Sequence, residues 1–415
     1  MFKAGVAKVK ITPPLGVELW GYGIYLNRFA KGVNDELYAK AIEFYDGENK
    51  AIIISCDLGG LGRYFVQQCK EEISKSINIP KDNITICATH THSGPSTVFM
   101  RGLGEIDKNY LNFLKEKIVQ AAKKSDKDLE KIRIGTGKGE ADIGYNRVVK
   151  DGIIDKELMV LKVENAVNKT KAILYNYSTH PVTGRGDNFL VSADWPGYAS
   201  KKIERENKCI SIFLQGSCGD IDVKNTGMFK KAKENGETVA QEVLKIQQNI
   251  KLKKDLKIKM KTKIINLSLN VPQEKDIGEI LVRYKENLKN KNFKKFILEW
   301  EKDILKEISK NPRDSLTTEI QVIQIGEDIV FVMHPSELFT KWGIKIKEIS
   351  PYKSAFVVGY ANDYIGYIPD EEDFKIGDGF RGYAAFRAPM YTGFFPFKEN
   401  VGEILVQEIK ELLRY

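Results

Sequence analysis

Two hydrophobic periods run through this chain. Short apolar runs, β-branched or alternating with polar residues, recur at residues 4–11, 37–45, 51–56, 84–88, 158–163, 172–177, 209–214, 318–325, 329–333 and 357–360. Gly, Pro, Asn or Asp follow most of them, the pattern of strands that stop at turns. Between these runs apolar residues return at helical spacing: Phe65, Cys69 and Ile73; Leu111, Leu114, Ile118 and Ala122; Val239, Val243 and Ile246. Residues 194–207 are predicted to form a further helix, with Asp194 as its N-cap and Pro196 in its first turn. Residues 400–413 read as an amphipathic helix. Strands that alternate with helices predict an α/β fold, a central mixed sheet flanked by helices in one domain over 1–415.

Three stretches depart from this pattern. Residues 131–145 form a Gly-containing strand, and no helix pattern follows to make a phosphate-binding loop. Residues 273–311 are charged and helical in period, with Ile280, Tyr284 and Leu288, then Phe296, Trp300, Leu305 and Ile308. They predict a helical hairpin inserted between strands: a peripheral decoration in the simplest reading, otherwise a lid or a homo-oligomer contact. Residues 377–396 are dense in Gly and aromatics, including Phe380, Tyr383 and Tyr391, and a long irregular segment inside a domain is usually functional. No internal repeat is evident.

Charge narrows the function classes. The net charge is +9, but 65 basic residues are interleaved with 56 acidic ones. Without a basic block rich in aromatics, nucleic acid is not an expected partner; a mild attraction to anionic substrates or lipid headgroups is compatible with the balance. Five cysteines without a CxxC pair indicate neither a disulfide framework nor a cysteine zinc knuckle. The first residues, MFKAGVAKVKITPPLG, have no apolar signal core, and no run has the length of a membrane span. A cytoplasmic location is the expectation.

The candidate chemistry gathers where strands end. The chain has only 4 histidines, and all of them, His90, His92, His180 and His334, follow apolar runs. His90 and His92 are two apart, which on an extended backbone points both to one face. Asp220 and Asp222 follow the run at 209–214, and Glu337 follows the run at 329–333. Ligands of open α/β sheets bind at the carboxyl ends of the strands. Two or three histidines with one carboxylate make a catalytic zinc pattern. Such a zinc activates a water and polarises a carbonyl, and a nearby carboxylate takes the proton. His334 and Asp194 are more simply structural.

The ordered set GVAKVKITPPLG, ATHTHSGP, Asn146-Arg147, NYSTHP, SADWPG, QGSCGDI, HPSE and YANDYIGYI resembles the neutral/alkaline (non-lysosomal) ceramidase family. The resemblance runs from residue 4 to about residue 390, outside the inserted hairpin. It implies a zinc-dependent amidase, since that family hydrolyses ceramide to sphingosine and a fatty acid. It implies His90, His180, Glu337 and Tyr367 as ligands of Zn2+, with His92 and Arg147 beside the scissile group, where both can stabilise an oxyanion. The sequence departs from the family in two ways. The serine of the family's GDVSPN motif is replaced by Asp222, which makes Asp222 or Asp220 a candidate base on a zinc-bound water. The family's C-terminal immunoglobulin-like domain has no counterpart, which points to an N-acyl substrate more soluble than membrane-embedded ceramide. The expected activity is hydrolysis of the amide bond of a small or lipid-like N-acyl amine. A zinc esterase or lactonase, or a homologue that binds lipid without turnover, are the alternatives.

Overall fold

The apolar runs assemble into two sheets. The larger has eight strands: β1 (Lys3–Lys10), β2 (Tyr38–Tyr45), β3 (Lys50–Cys56), β4 (Ile84–Ala88), β5 (Glu130–Glu140), β6 (Glu157–Asn165), β7 (Thr170–Tyr177) and β8 (Ile210–Gln215). Their spatial order is β8-β7-β6-β5-β1-β2-β3-β4. The smaller sheet pairs β9 (Ile258–Ser268), β10 (Ser315–Ile325), β11 (Ile329–Met333) and β12 (Ser354–Val358) in chain order. The helices of ten residues or more are α1 (Arg63–Ile77), α2 (Lys108–Lys127), α3 (Asp194–Asn207), α4 (Met228–Ile246), α5 (Glu274–Arg283), α6 (Lys291–Ile308), α7 (Thr340–Ile349) and α8 (Val401–Leu413). This computed structural model describes residues 1–310, 312–375 and 382–414, without the side chains of Arg283, Lys285 and Glu286. The last residue of the predicted insertion, Asn311, and residues 377–381 of the aromatic-rich segment lie outside the described residues.

The chain repeats one connectivity three times, although its sequence shows no internal repeat. Strand, strand, strand, helix, strand, helix describes β1-β2-β3-α1-β4-α2, then β5-β6-β7-α3-β8-α4, then β9-β10-β11-α7-β12-α8. In each unit the first three strands pair antiparallel and the fourth pairs parallel to the third. The parallel pair needs a crossover, and a helix supplies it each time. What recurs is the order of periods, which many unrelated side chains satisfy.

Alternate residues of the strands build separate cores. Ile53, Leu174, Ile212, Phe331 and Phe356 belong to one cluster that joins the two sheets face to face. Ile52 and Ile54 point the other way, into a cluster with Val66, Ile73, Leu114 and Ile118 of α1 and α2. The second face of β11, Val330 and Val332, meets Ile346 of α7 and Leu405 of α8. The layers are therefore helices, large mixed sheet, small sheet, helices, and both sheets are covered on both faces. Ala193 rather than Asp194 takes the N-cap position of α3. Asp194 instead accepts from the Gly184 amide at 3.1 Å and ties the loop after His180 to the helix start.

Strand ends from all three units meet. The Gly359 amide, after β12, donates to Gln215 O of β8 at 2.9 Å, and Asn176 of β7 bridges Leu214 O and Val357 O. The Ala88 amide of β4 reaches Tyr360 O at 3.2 Å. The inserted hairpin, α5 and α6, leaves the chain between β9 and β10. It packs through Phe293, Phe296, Ile297, Trp300 and Ile304. Asn292 donates to the carbonyls of Ile24 and Tyr25, Glu299 accepts from the Tyr25 hydroxyl, and Asp303 pairs with Arg101 at 2.9 Å. The hairpin is thereby clasped to the Gly-rich loop at residues 21–25.

Candidate metal centre

His90 and His180 are each aimed by the main chain. Strand β4 stops at Ala88, and His90 adopts a left-handed φ of 67°. Its imidazole meets His92 across a turn, not along an extended strand as the two-residue spacing suggested. His90 Nδ1 bonds Gly59 O at 2.6 Å, and His180 Nδ1 bonds Ile221 O at 2.9 Å. A carbonyl only accepts, so each Nδ1 carries a proton, and Nε2 is the atom each ring turns to the centre. Both Nε2 atoms point at one carboxylate oxygen: Glu337 Oε2 lies 3.2 Å from His90 and 3.1 Å from His180. Glu337 Oε1 accepts from the Tyr364 hydroxyl.

Glu337 and Tyr367 are brought together by a short parallel pairing, Glu337–Leu338 with Tyr367–Ile368, in which the two residues are direct register partners. The Tyr367 hydroxyl accepts from Arg147 Nη2 at 2.9 Å. Arg147 also donates to Gly219 O at 2.8 Å and to Asp222 Oδ1 at 3.2 Å. It follows the short strand Gly144–Asn146, which pairs with Ile221–Val223, so one small ladder delivers Arg147, Asp222 and the Ile221 carbonyl.

His92 closes the group. Its Nε2 lies 3.3 Å from His90 Nε2, and its Nδ1 lies 3.1 Å from Gly21 O. Gly21 has a φ of +101°, and a Cβ there would sit 2.5 Å from His92 Nδ1, so only glycine allows the contact. The ligand atoms of His90, His92 and His180 all lie within 4.8 Å of one another.

The electrostatics suit a cation. Burial, then the neighbouring imidazoles, hold His92 well below the ordinary histidine range. Burial, with Arg147 nearby, also depresses His180. Burial favours a neutral Glu337, but His90 and His180 outweigh it and hold the carboxyl well below its usual value. Imidazoles turned by Nε2 to an ionised, buried carboxylate form a donor set for a divalent ion, and the chemistry of these residues fits zinc.

The structure separates the two aspartates. Asp222 borders the centre, with Oδ1 3.8 Å from His180 Nδ1. Asp220 does not face it. Its Oδ1 accepts from the Thr340 amide and hydroxyl at 2.7 and 2.9 Å, and its Oδ2 accepts from Asn146. Asp220 anchors the first turn of α7, and both of its oxygens are taken. A base role for Asp220 has no geometric support. His334 is fully buried, with Nδ1 3.1 Å from Ser336 Oγ, and burial lowers its pKa to about 3.

Aromatic rings complete the site. The Tyr360 ring stacks on His90 at 4.0 Å, and Trp20 meets the edges of His90 and His92 at 5.2 and 4.8 Å. The sequence pattern singles out none of Trp20, Tyr360 and Tyr364. The NDYIGY spacing was the signal that one turn presents two tyrosines to Glu337. A groove of about 630 Å3 opens beside the centre, lined by Gly21, Leu26, Phe293, Tyr383 and Arg387. A larger cavity of about 820 Å3 is lined by Tyr364 together with residues of α1, α6 and 392–395.

A four-layer α/β fold with a buried histidine–carboxylate cluster at its strand ends defines a protein with a candidate metal centre. The family model described as neutral/alkaline non-lysosomal ceramidase, N-terminal, matches residues 2–243, and the chain belongs to that family. Neutral ceramidase A of Dictyostelium discoideum is 26% identical over 262 residues, 54% of this chain and 36% of that relative. Neutral ceramidase of Drosophila melanogaster is 24% identical over 256 residues, 53% of this chain and again 36% of the relative. The aligned stretch thus spans little more than a third of these relatives. The crystal structure of neutral ceramidase from Pseudomonas aeruginosa shares the fold, with a TM-score of 0.79 at 17% identity over 99% of this chain and 74% of that one.

Proposed function

We propose that this chain is a zinc-dependent hydrolase that cleaves the amide bond of an N-acyl amine of the ceramide type. The observation that carries this reading is the convergence of two imidazole Nε2 atoms and one buried carboxylate, with Tyr367 as register partner of that carboxylate. Family membership supports the same reading. His90, His180, Glu337 and Tyr367 would hold the metal. The chemistry zinc supplies in such a site is a lowered pKa for its water and a polarised carbonyl oxygen.

The chain's own residues divide the remaining work. His92 is neutral, and with Nδ1–H bound to the Gly21 carbonyl its Nε2 is the bare nitrogen. It accepts the proton of the attacking water and returns it to the leaving amine. The Arg147 guanidinium, held by Gly219 O and Asp222, faces the Tyr367 hydroxyl and stabilises negative charge that develops on the amide oxygen. Asp222 orients Arg147, so the acid that replaces the family serine acts through the guanidinium. Trp20 and Tyr360 keep bulk water from the imidazoles.

The test is elemental analysis of protein purified without added metal, followed by assay of amine release from an N-acyl sphingosine and from shorter N-acyl amines. Zinc near one equivalent per chain, lost in His90→Ala and His180→Ala, with amide cleavage that follows the metal, is the expected result. Protein that takes up no zinc when it is supplied overturns the reading.

A further inference from the structure

The outer face of the inserted helix α6 has a pattern that the proposed chemistry does not use. Its inner face buries Phe293, Phe296, Ile297, Trp300 and Ile304. An ordinary surface helix would then be polar outside. Here Lys291, the pair Lys294 and Lys295, Leu298, Lys302 and Leu305 follow one another at steps of three or four residues along the exposed side. Leu298 is 52% exposed and Leu305 37%. Lys291, Lys294, Lys295 and Lys302 surround Leu298 in a shallow surface depression, with Glu299 at its edge.

The acids of α6 are mostly spent sideways. Asp303 pairs with Arg101, Glu307 with Arg313, and Glu299 accepts from the Tyr25 hydroxyl, with Lys295 3.8 Å away. Only Glu301, half-buried beside the stripe, has no such partner among the described contacts. The stripe itself holds lysines and leucines and no carboxylate.

We infer that this face of α6 docks the protein on an anionic lipid surface. Lysine ammonium groups meet lipid phosphates, and leucines between them enter the headgroup–acyl boundary, as on interfacial amphipathic helices. The placement gives the docking a use. The turn before α6 and its first residues, Asn290, Asn292 and Phe293, wall the groove of about 630 Å3 that Gly21 and Tyr383 line from the other side. The Gly21 carbonyl bonds His92, and the Tyr383 ring lies 5.8 Å from Tyr367. A membrane under α6 would therefore lie beside a groove whose wall residues Gly21 and Tyr383 contact the candidate centre. Its catalytic meaning rests on the proposed hydrolase function, and it favours a lipid-borne substrate over the soluble one expected from the sequence.

Co-sedimentation of the full chain with phosphatidylcholine vesicles, with and without phosphatidylglycerol, tests the docking separately from turnover. His90→Ala protein serves in parallel, so a failed metal site leaves this assay readable. Binding to the anionic vesicles alone, lost in high salt, is the expected result. The Lys294→Glu/Lys302→Glu variant should weaken it roughly tenfold or more. The indole introduced by Leu298→Trp should add a blue-shifted emission on the anionic vesicles, read as the difference from wild type, a signal from the face itself. Equal binding to both vesicle types, binding indifferent to the charge reversals, or no shift in the emission added by Leu298→Trp would overturn the inference. So would binding to a DNA oligonucleotide without binding to vesicles, or self-association as the only property the charge reversals change.

Discussion

Tyr364 donates its phenolic hydrogen to Glu337 Oε1, while the imidazoles of His90 and His180 bear on Oε2 of the same carboxylate. One oxygen is held by the protein, and the other is left to the centre. Such outer partners commonly set ligand orientation. Tyr364→Phe keeps the ring against Trp20 and removes only the hydroxyl. Zinc affinity, measured by competition with a chelator, should fall about 10- to 100-fold, with the stoichiometry at saturation unchanged.

One planar group of Arg147 bonds Gly219 O, Asp222 and Tyr367 together. A lysine keeps the charge but cannot span the three. Arg147→Lys should lower kcat by roughly 10²-fold, with KM changed far less, because the lost contact is one made to the transition state. Asp222→Asn, which leaves a neutral partner for the guanidinium, should fall between wild type and Arg147→Lys. Full activity in Asp222→Ala would remove both the positioning role argued above and the base role expected from sequence.

Far from the centre, Glu43 on β2 is fully buried, with Lys50 3.3 Å away. Burial pushes its carboxyl up to about 7 from 4.5, against the pull of Lys50. The folded state therefore holds this proton more tightly than the unfolded chain does. Stability from this group is fully present below about 4.5 and is lost as pH rises through about 7. Glu43→Gln removes the titration. Its melting temperature should match wild type at the acid end of that window and exceed it above the window, by a free energy of up to about 3 kcal/mol. A constant difference across the window would contradict the assignment.

The sequence disclosed the α/β class of the fold, and the candidate centre only in part. Strands that end at His90 and His180 are visible because β-branched runs stop at turn residues, and both histidines have few rivals. Glu337 and Tyr367 are 30 positions apart and are joined by a two-residue pairing, too short to leave a periodic trace; only the family resemblance placed them together. Asp220 and Asp222 look equivalent in sequence. Their separation depends on Thr340, whose amide at the start of α7 captures Asp220 from 120 positions away. The threefold connectivity is equally hidden. The residues that follow the third strand of each unit are Asp57, Ser178 and His334, three residues with no shared chemistry. The hairpin at 273–311 read as peripheral because its charged outer face dominates the composition. Its buried aromatics and its bonds to residues 24 and 25 are what place it beside the groove.

His92 poses the sharpest choice, because its ligand nitrogen lies as close to the other imidazoles as a third histidine ligand would. Two observations separate it from them. Glu337 Oε2 bears on His90 and His180 and not on His92. His90 and His180 are fully buried, whereas His92 retains 8% exposure. A proton acceptor needs that access, and a ligand does not. His92→Gln should therefore keep zinc at the wild-type stoichiometry while kcat falls by about 10²- to 10⁴-fold, the range for loss of a general base. His90→Gln should lose the metal itself. If His92→Gln instead lost zinc along with activity, the ligand set would be three histidines, and the proton would have to leave by Asp222, whose carboxylate would then be more than a support for Arg147.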